Sequence, residues 1–308
     1  MAVREARTMA VAVPTTRDDL VVALGRATTD TRIIAGGTDL VRSLRVPGDE
    51  PDLLISLGGL RGLSYVRLDG ATVRVGATTT FTELQHDPVL REHGLCLALA
   101  ASTIGSAQIR NVGTVGGNIA NASPCADSAP ALVALGADVT TVDGAGHTAT
   151  RPLSEVVLGP YHTSLACDEA IVEFSFPALG PTQRTAFTKI GSRTAVTVAR
   201  LTCAIVARFD AASGILEEVR VGLGAVGAVA FRVPEVEEAL RGQRADAEAA
   251  ALLAEGCVRA IGRSIPDRPT LPYKQHAAVG LAYDTWNALG LCPPCAPAAH
   301  DDRPEEVA

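Results

Sequence analysis

The stretch Thr103-Ile-Gly-Ser-Ala-Gln-Ile-Arg-Asn-Val-Gly-Thr-Val-Gly-Gly-Asn118 decides how this chain is read, because it fits no ordinary element. Its last six residues, Gly113-Thr114-Val115-Gly116-Gly117-Asn118, offer small side chains, a hydroxyl and an amide in a polar run with few bulky groups. A backbone that cradles phosphate needs such a sequence, since its N–H groups must approach the anion with no Cβ in the way. A second loop of the same kind stands upstream. Ala35-Gly36-Gly37-Thr38-Asp39-Leu40 follows the β-branched run Thr31 to Ala35 and leads into a short helix toward Leu44. Its glycine pair therefore lies where a strand hands over to a helix N-terminus, a place that favours anions. Taken alone, that loop reads more readily as a structural turn; two such loops in one domain point to a dinucleotide. Neither follows G-x-G-x-x-G at the head of a βαβ unit or G-x-x-x-x-G-K-[ST], which disfavours a Rossmann or P-loop protein.

Around the loops the pattern mixes helix and strand. Ala10 to Val13 reads as a strand, and Thr16 caps a helix over Asp18 to Ala27 with Leu20, Ala23, Leu24 and Ala27 on one face. Leu53 to Ser56 is another strand, and Ser64 to Arg67 with Thr72 to Gly76 forms a hairpin closed at Asp69-Gly70. Phe81 to Ala101 is helical with a break at Pro88, Asp127 to Leu135 is a short helix, and Ala170 to Phe176 is a strand stopped by Pro177. Periodicity fails over residues 178–183, so the expected organisation is one domain over residues 1–180 and a second over 181–290. The second is a sheet (Thr197 to Phe209, Ile215 to Val226) backed by helices at Glu235 to Leu240, Ala247 to Ile261 and Leu271 to Leu289. Residues 291–308, rich in Pro, Ala and acids, read as a mobile tail. Met9 stands just before the first strand, so the first eight residues read as an extension outside the fold.

Composition narrows the function. With 308 residues, 47% hydrophobic and 20% charged, the chain has globular composition and room for two domains. A formal charge of −7 with no basic block offers no footprint for nucleic acid. No apolar run is long enough to span a bilayer and no signal core opens the chain, which leads to the expectation of a cytoplasmic protein. Seven scattered cysteines suit a reducing compartment, and Cys292-Pro-Pro-Cys295, one C-x-x-C without a second pair, does not close a zinc site. The six histidines form no H-x-x-x-H pair, so no metal site is expected.

At its two glycine loops the chain resembles the FAD subunits of molybdenum hydroxylases, the family that includes the medium subunit of carbon monoxide dehydrogenase and the flavin domain of xanthine dehydrogenase. The likeness runs from residue 9 to 290. It is carried by Ala35 to Leu40, Gln108-Ile-Arg-Asn-Val-Gly-Thr-Val-Gly-Gly-Asn-Ile119, Ala122-Ser-Pro-Cys-Ala-Asp127, Lys189-Ile-Gly-Ser-Arg193 and Asp267-Arg-Pro-Thr-Leu-Pro-Tyr-Lys274. The fold it implies is α+β: a PCMH-type FAD-binding domain of two α+β subdomains, then a C-terminal domain of sheet and helices. The resemblance also implies a non-covalent FAD, neither loop holding a histidine for covalent attachment. Ile33, Ile34, Ala35, Gly36, Gly37, Thr38, Asp39 and Leu40, with Thr114, Gly116, Gly117 and Asn118, would hold the pyrophosphate and neighbouring groups. Asp127 would bind the cofactor through its carboxylate, or else cap the helix that follows. Ile171, Lys189 and Ile104 match positions that touch the flavin; Lys189 reads equally as a solvated strand residue. Tyr161, in Gly159-Pro-Tyr-His-Thr163, falls where the family often has an aromatic near the ring, and reads equally as a core tyrosine.

The chemistry so implied is electron relay with no catalytic side chain, because the flavin carries the redox change and the protein positions it. Nothing like C-x₄-C-x₂-C occurs, so by the resemblance the [2Fe–2S] clusters and the molybdenum cofactor sit on a small iron–sulfur subunit and a large molybdenum subunit, in a dimer of heterotrimers. The acceptor would be NAD, oxygen or a quinone. The family's benzoyl-CoA-type members carry a cysteine-rich insertion; between Asn118 and Gly159 this chain has only Cys125. Thr38 and Asp39 stand where carbon monoxide dehydrogenases commonly have histidine and serine, a lean toward the branches that oxidise xanthine, aryl or heterocyclic substrates. Two other readings remain: a stand-alone FAD-dependent oxidoreductase on the same fold, and a scaffold whose glycine loops are only turns.

Overall fold

The computed structural model describes residues 9–45 and 50–296, so expectations about the residues before Met9 and the tail from residue 297 lie outside the described residues. Three short parallel strands, β1 (Ala10–Ala12), β2 (Arg32–Ile34) and β3 (Leu53–Ser56), form the first sheet in the order β1-β3-β2. Between β1 and β2 runs the helix Arg17–Leu24. Its start is set by a capping box in which the Thr16 hydroxyl accepts from Asp19 N–H and the Asp19 carboxylate accepts from Thr16 N–H. Leu20, Ala23 and Leu24 of that helix are buried on the sheet. β2 ends at Ile34 and opens into residues 35–39 before the short helix Leu40–Ser43. In open parallel sheets, crevices form beyond the carboxyl ends of strands, and the first glycine loop occupies such an end.

The second sheet is antiparallel. Its strands are β4 (Val66–Asp69), β5 (Thr72–Gly76), β6 (Asp138–Asp143), β7 (Thr148–Pro152) and β10 (Glu169–Pro177), in the order β4-β5-β10-β6-β7. A small hairpin of β8 (Val157–Gly159) and β9 (His162–Thr163) stands beside it. β10 carries a bulge between Ile171 and Glu173. One face of the sheet, with Val73, Val75, Val139, Phe174 and Phe176, packs on the helices Phe81–His86, Pro88–His93 and Leu95–Ser102. Residues 103–118, which look irregular in the sequence, contain two short helices, Ala107–Arg110 and Val115–Ala120. Packing overrides propensity in the second of these: a Cβ on Gly116 would lie 2.6 Å from the carbonyl oxygen of Ala77, so only glycine lets that helix seat against β5's exit.

The C-terminal domain is an antiparallel sheet, β11 (Gln183–Gly191), β12 (Ala199–Phe209), β13 (Leu216–Gly224) and β14 (Phe231–Arg232), in that order. Leu201, Cys203, Ile205 and Ala207 face the helices Pro234–Leu240, Ala247–Ser264 and Leu271–Leu289, while the alternate residues Ala204 and Val206 join the core of the first domain. β12 is thus apolar on both faces, which is why it reads as a near-continuous hydrophobic run. The helix Ser128–Leu135 lies against the far side of this sheet. A Cβ on Gly222 would stand 2.3 Å from the Pro130 carbonyl oxygen, and the Arg220 guanidinium donates to the Leu135 carbonyl at 2.9 Å. Among the described residues no helix is long and apolar enough to cross a membrane.

Candidate functional site

The two glycine loops meet. A Cβ on Gly36 would come 1.9 Å from the carbonyl oxygen of Val112, so the first loop touches the chain just before the second, and Gly37 takes φ of +70° to turn into the helix Leu40–Ser43. Between them opens a cleft of about 250 Å³ lined by Ile33, Ile34, Ala35, Gly36, Gly37, Thr38, Asp39, Leu40, Ile104, Thr114, Gly117 and Asn118, together with Phe81, Ile109, Gly113, Ala120 and Asn121. A second cleft of about 500 Å³ shares Ile33, Ala35, Gly117, Ala120 and Asn121 with the first and continues to Gly116, Tyr161 and Ile171. The two make one bent groove that turns over Ala35 and Gly117. A Cβ on Gly117 would lie 3.8 Å from that of Ala35, in the gap between the loops.

Hydrogen-bond accounting separates the loops. In the second, Val115 N–H donates to Thr79 O, Gly116 N–H to Ala77 O, Gly117 N–H to the Thr114 hydroxyl and Asn118 N–H to Thr114 O. These donors are satisfied within the protein, so the loop is a fixed wall and not the backbone anion cradle its glycines suggest. In the first loop, by contrast, no acceptor among the described residues engages the N–H groups from Gly36 to Leu40. Five successive residues with unengaged backbone donors therefore line the cleft, a set that can bind phosphate oxygens. Thr38 adds a hydroxyl, 3.4 Å from the Asp39 carboxylate.

Asp127 and Lys189 form a buried pair. The Lys189 ammonium, near the C-terminal end of β11, donates to Asp127 Oδ2 at 2.5 Å and to the Thr103 carbonyl at 3.1 Å; the two side chains are 5% and 7% exposed for Asp127 and Lys189. Asp127 makes no capping bond to the helix Ser128–Leu135, and Lys189 is not solvated, so both of those alternatives are overturned. Burial pushes the Asp127 carboxyl above its ordinary range against the pull of Lys189 and the Thr103 hydroxyl. Its second oxygen, Oδ1, is buried with no partner among the described residues. A buried carboxylate oxygen left unmatched is costly to the fold. The pair does not line the groove itself: Thr103 touches Asp127 on one side, and its neighbour Ile104 faces the groove on the other.

Ile171 is buried in the bulge of β10 and closes the apolar end of the groove. Tyr161 is no core residue; it is 70% exposed at φ +56°, held by its N–H to the Ala122 carbonyl, and overhangs the same end. Sequence reasoning missed Phe81, Ile109 and Asn121 as groove walls. Ile109 and Asn121 flank the second loop within the same contiguous segment, a usable signal; Phe81 reaches the site by packing beside Gly113 and gives none.

Comparison with known proteins agrees with this architecture. Residues 7–179 match the family model described as FAD binding domain in molybdopterin dehydrogenase, and residues 186–289 match the CO dehydrogenase flavoprotein C-terminal domain. The nicotinate dehydrogenase FAD-subunit of Eubacterium barkeri is 30% identical over 81% of this chain and 84% of its own length. A putative xanthine dehydrogenase FAD-binding subunit of Escherichia coli is 32% identical over 67% of this chain and 70% of its own. Among solved structures, carbon monoxide dehydrogenase from Hydrogenophaga pseudoflava superposes with a TM-score of 0.83 at 29% identity, covering 92% of this chain and 98% of the other. The chain belongs to the flavoprotein family of the molybdopterin dehydrogenases, as an oxidoreductase subunit built from that family's FAD-binding domain and C-terminal domain.

Proposed function

We propose that this chain holds FAD in the bent groove and relays electrons from an iron–sulfur partner subunit to an external acceptor. The carrying observation is the row of free N–H groups from Gly36 to Leu40, five donors with no protein acceptor among the described residues. They would bind the pyrophosphate, with the Gly117 side of the wall kept bare so that the anion can lie between the loops. Ile104 and Ile171 would exclude water from the apolar part of the cofactor, and Asp127, fixed by Lys189 and bonded by Thr103 beside Ile104, would hold that wall in place behind the groove. Bound there, FAD supplies the capacity to take electrons one at a time and release them in pairs. The residues fit the group: a Cβ-free gap and unmatched backbone donors are complementary to a dianionic ligand.

The partners in this reading are a small [2Fe–2S] subunit and a large subunit with the molybdenum cofactor, assembled as a dimer of heterotrimers, with NAD, oxygen or a quinone as acceptor. One of the matched relatives is named as a medium chain, that of the Hydrogenophaga pseudoflava carbon monoxide dehydrogenase, 29% identical over 80% of this chain. The test is to add FAD to the purified chain, remove the excess and record the visible spectrum, then titrate with the reduced iron–sulfur subunit. Retained flavin bleached by that subunit, and not by organic substrates given to this chain alone, supports the relay. Flavin reduced directly by an organic substrate favours a stand-alone oxidoreductase, and a colourless protein refutes both.

A further inference from the structure

The sequence pair Cys292-Pro-Pro-Cys295 has no part in the groove, yet the fold does not leave it loose. After the long helix Leu271–Leu289 the chain reverses at Gly290 (φ +67°), and Leu291, Cys292 and Cys295 turn back onto the apolar core of the C-terminal domain. Asn287, in the last turn of that helix, clamps Cys295. Its Oδ1 accepts from Cys295 N–H at 3.0 Å and from the thiol at 3.4 Å, and its Nδ2 donates to the Cys295 carbonyl at 2.8 Å. Cys292 and Cys295 are both free and half-buried, three residues apart on one turn packed against that core. Of the other five cysteines, Cys96, Cys203 and Cys257 are buried, Cys125 is half-buried and Cys167 is exposed. Partial solvent access together with a second partly accessible cysteine three residues away distinguishes the 292/295 pair from all of them.

We propose that Cys292 and Cys295 are a reversible dithiol–disulfide site that exchanges with small-molecule disulfides, a second two-electron couple separate from the groove. In the first step the Cys292 thiolate attacks one sulfur of the small disulfide; that S–S bond breaks, one small thiol leaves, and a mixed disulfide forms on Cys292. The Cys295 sulfur, giving up its proton to solvent, then attacks Cys292 and expels the second small thiol. The two cysteines lose two electrons and two protons in all, and the small disulfide gains them. Cys292 is the entering sulfur because Cys295 is held by Asn287, and burial and its neighbour push the Cys295 thiol up. The closed ring would replace the bond from the Cys295 thiol to Asn287 and lock the turn of residues 292–295 on itself.

The test uses the full FAD-loaded chain equilibrated in glutathione buffers of graded oxidised-to-reduced ratio, quenched with an alkylating agent and digested with trypsin. Cleavage after Lys274 gives a peptide beginning at Gln275 in which Cys292 and Cys295 are the only cysteines, since Arg303 is followed by Pro304. The expected result is a peptide that escapes alkylation and lacks two hydrogens at the oxidising end, that recovers both alkyl groups at the reducing end, and that changes over at one midpoint. Cys167, exposed and without a facing thiol, should carry glutathione instead. In Cys295→Ser the intermediate cannot resolve, so Cys292 should accumulate glutathione. Two free thiols, or two separate glutathione adducts, on the wild-type peptide in buffer that modifies Cys167 would overturn the proposal; so would an unmodified Cys292 in Cys295→Ser.

Discussion

Replacing Lys189 by methionine should remove the only cation among the described residues that contacts the buried Asp127 carboxylate. What remains to Asp127 is a 3.4 Å contact from the Thr103 hydroxyl to Oδ2 and an Oδ1 with no partner among the described residues. Breaking one side of a buried ion pair typically costs about 3–5 kcal/mol, because the other charge stays desolvated. The carboxyl can limit that loss by taking a proton, so the loss depends on pH in a defined direction. Burial already raises the folded carboxyl above its unfolded value of 3.8. Its contribution to stability is therefore fully present below 3.8 and declines as pH rises toward the folded value, where the unfolded chain has released a proton the folded chain still holds. Without Lys189 the folded value rises further, and the decline extends to higher pH at up to about 1.4 kcal/mol per unit. Urea unfolding of the FAD-free variant and wild type at pH 5 and pH 8 measures this: the difference should be larger at pH 8. Lys189→Met combined with Asp127→Leu should recover most of the stability while leaving FAD retention impaired. A single variant within 1 kcal/mol of wild type at both pH values would refute the burial argument.

Other outcomes follow from the same geometry. Gly36→Ala should leave a folded protein that loses at least tenfold in FAD affinity, read by flavin fluorescence on dilution, because its Cβ would drive the first loop off Val112. Thr114→Ala deletes the cap of the helix Val115–Ala120 and should cost about 1 kcal/mol in denaturant unfolding, a figure typical of lost N-caps. Tyr65, whose hydroxyl donates to Glu173 at 2.7 Å, has its phenol pushed up to about 12 by burial first and by Glu173 second. In Glu173→Gln the ultraviolet titration of that tyrosine should move down, yet stay above the ordinary 10 because the burial remains.

The sequence reveals the groove's outline better than its chemistry. Paired glycines, a preceding β-branched run and a following hydroxyl locate both loops, since those residue types answer a local demand on the backbone. Which loop keeps its N–H groups free is not a local property. The acceptors that occupy the second loop, Ala77 O and Thr79 O, come from the exit of β5, far away in the chain. The helix Val115–Ala120 is hidden for a related reason: two of its six residues are glycines that propensity assigns to a turn, and contact with Ala77 explains Gly116 while Gly117 borders Thr114 and Ala35. Asp127 stands out in its motif, but its bond to Lys189 joins residues from two domains, and no periodicity marks β11 as the strand that supplies the lysine. A near-continuous apolar run did place β12, because the core on both sides of that sheet imposes it.

The position of Lys189 also bears on when the cofactor can be captured. Residues up to 127 provide the first loop, the wall and the carboxylate, and the two sheets around them are complete once β10 has been made. The ammonium that neutralises Asp127 arrives on β11, and β11 is held by β12 and by the helix Leu271–Leu289, whose Thr285 hydroxyl lies in hydrogen-bonding contact with that of Thr188. A nascent chain stopped before that helix would thus present an anion cradle beside an unneutralised buried acid. Tight flavin loading becomes a late event, coupled to completion of the C-terminal domain, and a fragment ending near residue 180 should emerge as a weak and leaky flavin binder.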